Sequence, residues 1–187
     1  MKVAESGMPD EKLWKTFFKP EDILPKMGVS MKTKDAADFG SGYGTFTIPA
    51  ARLVSGTVYA VDINEEMVES VKDTAKILGL PNIKALCRDI ESEGTGLKDG
   101  SMDYVMLFNI LHGESPKKIL EEAYRVLLPG GMIGVIHWNY DPTTPRGPPM
   151  ELRLRSEQAL NLAEIMGFSL RRRLELRPYH YGLVMRK

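Results

Sequence analysis

The stretch DFGSGYG, Asp38-Phe39-Gly40-Ser41-Gly42-Tyr43-Gly44, decides how the rest of the chain is read. The residues before it, Asp35 to Phe39, predict a short strand, and those after it predict a helix from about Gly44 to Leu53. Alternate glycines at a strand-to-helix junction remove Cβ atoms where the chain turns sharply, which lets a ligand approach the backbone. Glycine turns also occur for purely structural reasons, so the surrounding pattern has to decide between the two.

Outward from this turn, β-type runs alternate with helix-type segments, the pattern of a parallel sheet covered on both faces. Thr57 to Val61 predicts a second strand. Asn64 is a good helix N-cap, with Glu65 and Glu66 in the first turn and Met67, Val71, Ala75 and Leu78 as an apolar stripe that Gly79 ends. Ile83 to Cys87 predicts a third strand and Glu91 to Ser101 a polar loop. The nearly unbroken apolar run Asp103 to Phe108 predicts a fourth strand buried on both faces. Ser115-Pro116 opens another helix, whose Ile119, Leu120, Ala123 and Val126 face the core, and Leu128-Pro129-Gly130-Gly131 turns the chain into a fifth strand, Met132 to Trp138. Pro142, Pro145, Pro148 and Pro149 make Asn139 to Pro149 an ordered loop. Ser156 then caps a helix that runs through Met166.

Two late β-type runs, Ser169 to Leu176 and Tyr181 to Met185, are joined only by Arg177-Pro178-Tyr179-His180. No helical crossover fits in so short a link, so these strands are antiparallel. The predicted fold is α/β, a Rossmann-like doubly wound sheet, mostly parallel with an antiparallel C-terminal hairpin strand. Leu13, Trp14, Phe17 and Phe18 make residues 1–30 an amphipathic capping or lid segment across one end of the sheet.

The 187 residues fit one domain, 1–187, and the formal net charge of zero gives no bulk attraction to nucleic acid or membrane. Arg146, Arg153, Arg155, Arg171, Arg172, Arg173, Arg177, Arg186 and Lys187 outnumber nearby acids, and we read them as a solvated basic face rather than an anion site. Cys87 is the single cysteine, so no intramolecular disulfide can form, and a buried, inert thiol is the expectation. The N-terminus lacks the apolar core of a signal peptide and no run approaches the about 20 residues of a membrane span, which predicts a cytoplasmic protein.

Polar residues recur where strands end. Asp62 closes the second strand about twenty residues beyond the glycines, where an acid accepts hydrogen bonds from both hydroxyls of a ribose. Asp89 follows the third strand and either bonds an adenine amino group or starts a polar turn. Asn109 and His112 follow the fourth strand. His112 is the first candidate for a proton-accepting base and His137, at the end of the fifth strand, the second, with a structural role open for each. His180 reads as structural. Asn109, His112, His137 and Asn139 could gather near the crevice, but no carboxylate pair joins them, so no metal is expected.

These residues resemble the class I S-adenosylmethionine-dependent methyltransferases, in particular the ubiquinone/menaquinone-type small-molecule branch, over roughly residues 20 to 187. The resemblance rests on five stretches in order: DFGSGYG, VYAVDINEEM, CRDI, DYVMLFNILH and LLPGGMIGVI. It implies S-adenosyl-L-methionine as cofactor and S-adenosyl-L-homocysteine as product. By resemblance Gly40, Ser41, Gly42 and Gly44 approach the methionine and ribose parts, and Asp38 helps hold the amino-acid end. Asp62 would bind the ribose, Ile63 and Ile90 would pack the adenine, Asp89 would contact its amino group, and Asn109 would line the cofactor near the sulfonium. The implied reaction is direct in-line methyl transfer to an unidentified, small-molecule acceptor, with a protein or RNA acceptor as a variant. Trp14, Phe17, Phe18, Trp138 and Tyr140 are then acceptor-pocket walls or core, and Arg146 to Pro149 a stiff loop bordering the acceptor.

Two other classes stand beside this one. A non-catalytic S-adenosylmethionine-binding module or partner subunit would keep the same loop. An NAD-dependent oxidoreductase would show G-x-G-x-x-G, whereas Thr45 stands where the third glycine belongs, and it would not predict the reversed last strands.

Overall fold

The computed structural model describes residues 18–113, 115–144 and 147–187. In chain order the elements are α1 Pro20–Lys26, β1 Ala36–Phe39, α2 Thr47–Leu53, β2 Val58–Asp62, α3 Glu65–Ile77, β3 Ile83–Cys87 and α4 Ile90–Glu93. They continue with β4 Met102–Phe108, α5 Pro116–Val126, β5 Leu127–Trp138, a 3-10 turn at Met150–Leu152, α6 Ser156–Ile165, β6 Ser169–Leu176 and β7 His180–Arg186. One seven-stranded sheet runs β3-β2-β1-β4-β5-β7-β6. Strands β1 to β5 pair in parallel, and β7 inserts antiparallel between β5 and β6. The predicted fold class is the observed one.

Strand β4 lies at the centre because it can be buried on both faces. From Tyr104 to Phe108 every residue is buried, and their side chains divide between two apolar clusters, one on each face of the sheet. One cluster holds Val105 and Leu107 against Ile119, Leu120, Ala123 and Val126 of α5 and against Ala159 and Ala163 of α6. Burying a leucine or isoleucine of this kind contributes about 1.5–3 kcal/mol. The other cluster holds Tyr104, Met106 and Phe108 with Ile23 and Leu24 of α1 and Ala50 and Ala51 of α2. The Tyr104 hydroxyl donates to the Met27 carbonyl at 2.6 Å, tying the end of α1 to the sheet.

Several expected boundaries move for identifiable reasons. Helix α2 starts at Thr47 rather than Gly44, because Gly44 has φ +75°, outside the helical region. Arg155, not Ser156, occupies the N-cap of α6, and its N–H donates to the Gln158 side chain. The stripe of α3 buries Val68, Val71 and Ala75, while Leu78 is exposed. A short helix, α4, interrupts the expected loop after β3. Cys87 is exposed rather than buried, since β3 is the edge strand and its last residue has no neighbour on the open side. Arg153 departs from the solvated basic face: it is only 7% exposed.

Among the described residues no helix is long and apolar enough to cross a membrane. The expected capping segment lies largely outside the described residues, including Leu13, Trp14 and Phe17. Phe18 is described and is buried, 5.2 Å from the Phe46 ring and 4.5 Å from His180.

Candidate functional site

The glycine turn is stitched to the end of β2. The N–H groups of Gly40 and Ser41 both donate to the Val61 carbonyl, at 2.7 and 3.1 Å. Next, the Gly42 N–H donates to Asp62 Oδ2 at 2.8 Å, and the Asn64 N–H donates to Oδ1 at 2.9 Å. Gly42 and Asp62 therefore share one side of one crevice. Asn64 itself caps α3, its side-chain oxygen accepting from the Glu66 N–H. A carboxylate offers about four lone-pair directions, so a pinned Asp62 still has capacity for ligand hydroxyls.

Each glycine has a local reason. Gly40 has φ +71° and a Cβ there would lie 2.8 Å from Ile110 Cδ1, so β4's exit loop packs directly on the turn. Gly44 has φ +75° and a Cβ would lie 3.1 Å from Val71 of α3. Asp38 is buried beneath the turn and accepts from the Thr47 hydroxyl at 2.6 Å. Burial, opposed by that hydrogen bond and aided by the Asp62 charge, pushes its carboxyl up to about 7.

On the adenine side of the resemblance, Asp89 caps α4 through Oδ1, which accepts from the Glu91 and Ser92 N–H groups. The polar-turn role weighed for it is thus present, with Oδ2 still available for a donor. Ile63 is half-buried, and Ile90 is buried in the α5–α6 cluster.

Past β4 the polar groups change character. Asn109 has φ +58°, the only non-glycine among the described residues with positive φ. Asparagine tolerates this conformation better than other residues, and such strained positions concentrate at functional sites. Both of its side-chain amide atoms are buried without a partner among the described residues. The same holds for both ring nitrogens of His112, for Nε2 of His137 and His180, and for the hydroxyls of Ser41 and Thr45. Buried polar atoms are normally hydrogen-bonded, so a concentration of orphans at one sheet edge marks a candidate ligand site.

His112 and His137 come together, with ring centroids 6.0 Å apart in an edge-to-face arrangement, and His137 stacks at 6.1 Å on Tyr181. Burial lowers His112 to about 4 and His137 to about 3, and the neighbouring His112 lowers His137 further. Both imidazoles are therefore neutral at pH 7. Tyr181 donates its hydroxyl to the Leu154 carbonyl at 2.9 Å. On the other face Trp138 is buried 4.2 Å from the His180 ring, while Tyr140 is exposed under the Arg155 guanidinium. Among the described residues no three of His, Cys, Asp and Glu are grouped to hold a metal ion. Arg146 lies outside the described residues.

Sequence reasoning missed Thr47, Tyr181 and Arg153. Thr47 is invisible until the helix start is known. Tyr181 follows from strand register, because His137 pairs with Tyr181 across β5 and β7.

This strand order, with a glycine turn locked to the acid after β2 and a reversed strand beside β5, is the architecture of a Rossmann-like methyltransferase. Residues 37–135 match a family described as a methyltransferase domain. A crystal structure of a SAM-dependent methyltransferase from Aquifex aeolicus superposes with a TM-score of 0.86 at 26% identity, covering 100% of this chain and 98% of that one. The demethylmenaquinone methyltransferase of Geobacillus sp. (strain WCH70) is 31% identical over 116 residues, 60% of this chain and 48% of that protein. The ubiquinone/menaquinone biosynthesis C-methyltransferase UbiE of Haemophilus ducreyi is 30% identical over 138 residues, 70% of this chain and 50% of that protein. The chain belongs to this methyltransferase family, the class I S-adenosylmethionine-dependent methyltransferases, whose cofactor is S-adenosylmethionine. It spans about half the length of these curated relatives. The orphaned hydroxyls and amide and the pinned Asp62 carboxylate fit a ligand that carries ribose hydroxyls, an amine and a carboxylate.

Proposed function

We propose that this protein methylates a small-molecule acceptor, with the cofactor gripped by the β1–β3 ends and the acceptor placed at the β4–β5–β7 ends. S-adenosylmethionine, when bound, supplies an activated methyl group on a sulfonium for direct in-line displacement. The observation that carries the reading is the 2.8 Å bond from the Gly42 N–H to Asp62, which fixes turn and acid as one unit. Asp62 orients a ribose, and Asp38, Ser41, Gly40 and Gly44 shape the turn around the amino-acid end. Asp89, Ile63 and Ile90 form the adenine side, and Asn109 faces the reacting centre.

The protein's chemical task is then mostly orientation, which supplies as much as about 7–11 kcal/mol in favourable cases. His112 takes the acceptor's proton onto a ring nitrogen as the new bond to carbon forms, because an imidazole lowered to about 4 is unprotonated at neutral pH. His137 stands behind it, and burial keeps both sites dry. A base held this low removes a proton only when bond formation has made that proton acidic.

Calorimetric titration of the pure protein with S-adenosylhomocysteine and with NAD, followed by methyl transfer to a metabolite panel, tests the reading. We expect binding of the first alone and turnover of at least one panel member. His112→Gln should keep S-adenosylhomocysteine affinity and lose on the order of 10²–10⁴ in rate, the usual worth of a positioned base. Binding of NAD alone would overturn the assignment.

A further inference from the structure

We propose that Arg153 is a positioning residue for methyl transfer: its guanidinium clamps both ends of the segment that leaves β5 and so fixes the wall behind His137 and Trp138. The inference rests on reading this edge as the methyl-transfer site. Arg153 lies between the 3-10 turn and α6, and its side chain turns inward. Nε donates to the Pro148 carbonyl at 2.9 Å, at the far end of the segment. Nη1 donates to the near end, to the Asp141 carbonyl at 3.1 Å and the Thr144 hydroxyl at 3.0 Å, with a longer contact of 3.4 Å to the Asn139 carbonyl.

The planar fork also lies over Trp138, 5.6 Å from its ring. Gly147 completes the layer: with φ +125°, a Cβ there would lie 2.9 Å from Arg153 Nη2 and 3.0 Å from Trp138 Cδ2. Several donors in a rigid plane are what this geometry needs, and a lysine has one compact ammonium instead. A segment rich in proline has few N–H groups with which to hold itself, so an external donor set replaces the missing ladder.

The charge of the clamp also reaches the imidazoles. His137 packs against His112 beyond β4 and Tyr181 of β7, and His180 packs on Trp138 and Phe18; the Arg153 charge acts on both rings and the His137 ring acts on His180. The fixed positive charge adds to burial in keeping both rings unprotonated. One side chain thus shapes the acceptor wall and adds a small electrostatic contribution to the burial that keeps His137 and His180 unprotonated.

Arg153→Gln and Arg153→Lys separate these roles from simple structural support. Amide hydrogen exchange would be followed at residues 139–144, with proton NMR titration of His137 and His180 and calorimetry with S-adenosylhomocysteine. In Arg153→Gln, exchange over 139–144 should quicken on the order of tenfold while the sheet keeps its protection. Both histidines should also titrate at higher pH than in the wild type. Arg153→Lys should quicken exchange similarly yet leave the titrations low, since the charge is kept. S-adenosylhomocysteine affinity should stay within about twofold in both, because the clamp lies on the acceptor side.

Wild-type exchange and wild-type titrations in Arg153→Gln would overturn the proposal, as would a parallel loss of S-adenosylhomocysteine affinity in both variants. Should Arg153→Gln fail to fold, wild-type exchange in Arg153→Lys overturns it alone. Failure of the wild-type protein to bind S-adenosylhomocysteine would instead defeat the reading of the site, a separable result.

Discussion

The acids at the carboxyl ends of β1–β3 and the amide and imidazoles at those of β4, β5 and β7 meet their hydrogen-bonding needs in opposite ways, although the Ser41 and Thr45 hydroxyls of the glycine turn are also buried without a partner among the described residues. In the first region every acid has partners within the chain: Asp38 with Thr47, Asp62 with Gly42 and Asn64, and Asp89 with Glu91 and Ser92. In the second, Asn109, His112, His137 and His180 carry buried ring or amide atoms without a partner among the described residues. A region that must hold one constant cofactor can be prebuilt from backbone N–H groups and fixed carboxylates. A region that must admit a reacting molecule keeps its hydrogen-bonding capacity unspent, at a cost in stability of roughly 1–3 kcal/mol for each orphaned group.

The largest expected consequence is acid sensitivity located in the second region. Burial lowers His112 to about 4 and His137 and His180 to about 3, against about 6.5 when unfolded. The unfolded chain therefore binds more protons at these sites, and the stability they contribute is complete above about pH 6.5 and lost as pH falls toward 4 and 3. Asp38 acts in the opposite sense, since its raised carboxyl, at about 7, keeps a proton in the folded state that the unfolded chain gives up. Three imidazoles outweigh that one carboxyl. Urea unfolding should lose several kcal/mol between about pH 6.5 and 4, and His112→Gln should flatten the slope. A flat profile in the wild type would erase the contrast between the two regions.

How much of this was legible beforehand differs between them. The first region was readable because its chemistry is local: glycines at fixed spacing, an acid at a strand end and Asn64 ready to cap the next helix. The antiparallel pairing of the last two strands followed from the short Arg177–His180 link, whereas the insertion of β7 between β5 and β6 had no such local signal. What failed were properties set by distant neighbours. Cys87 looks like a core residue until β3 is known to be an edge strand. Arg153 looks like any surface arginine until the proline-rich segment folds over it, and Thr47 gains its role only because Gly44 delays the helix start. The second region is built from such non-local meetings, so His112 and His137 could be named as candidates while the packing of His137 on Tyr181 could not.

The next effect in size tests the prebuilt half. Asp62→Ala removes the acceptor for the Gly42 and Asn64 N–H groups together with the proposed ribose contacts. Charge-assisted hydrogen bonds of this kind are worth about 1.5–3 kcal/mol each, so S-adenosylhomocysteine affinity should fall on the order of a hundredfold or more by calorimetry. Asp62→Asn should lose less, because the amide oxygen still accepts one N–H. Equal affinity in wild type and Asp62→Ala would mean that the acid serves the turn and not the ligand.

The smallest effect uses the exposed thiol as a reporter. Cys87 pairs in register with Asp62 across β2 and β3, and its Sγ approaches the Ile63 carbonyl at 3.6 Å. It therefore borders the adenine side without being part of it. Cys87→Ser should change stability by no more than about 0.5 kcal/mol, as exposed positions usually do. Labelling of the thiol by a maleimide should nevertheless slow a few-fold when S-adenosylhomocysteine is present, because access to the sulfur narrows when the neighbouring surface is covered. Slower labelling without any loss in the serine variant would fix the outer limit of the first region at the end of β3. Unchanged labelling under saturating ligand would move the adenine away from Ile63 and weaken the whole division of the edge into a cofactor half and an acceptor half.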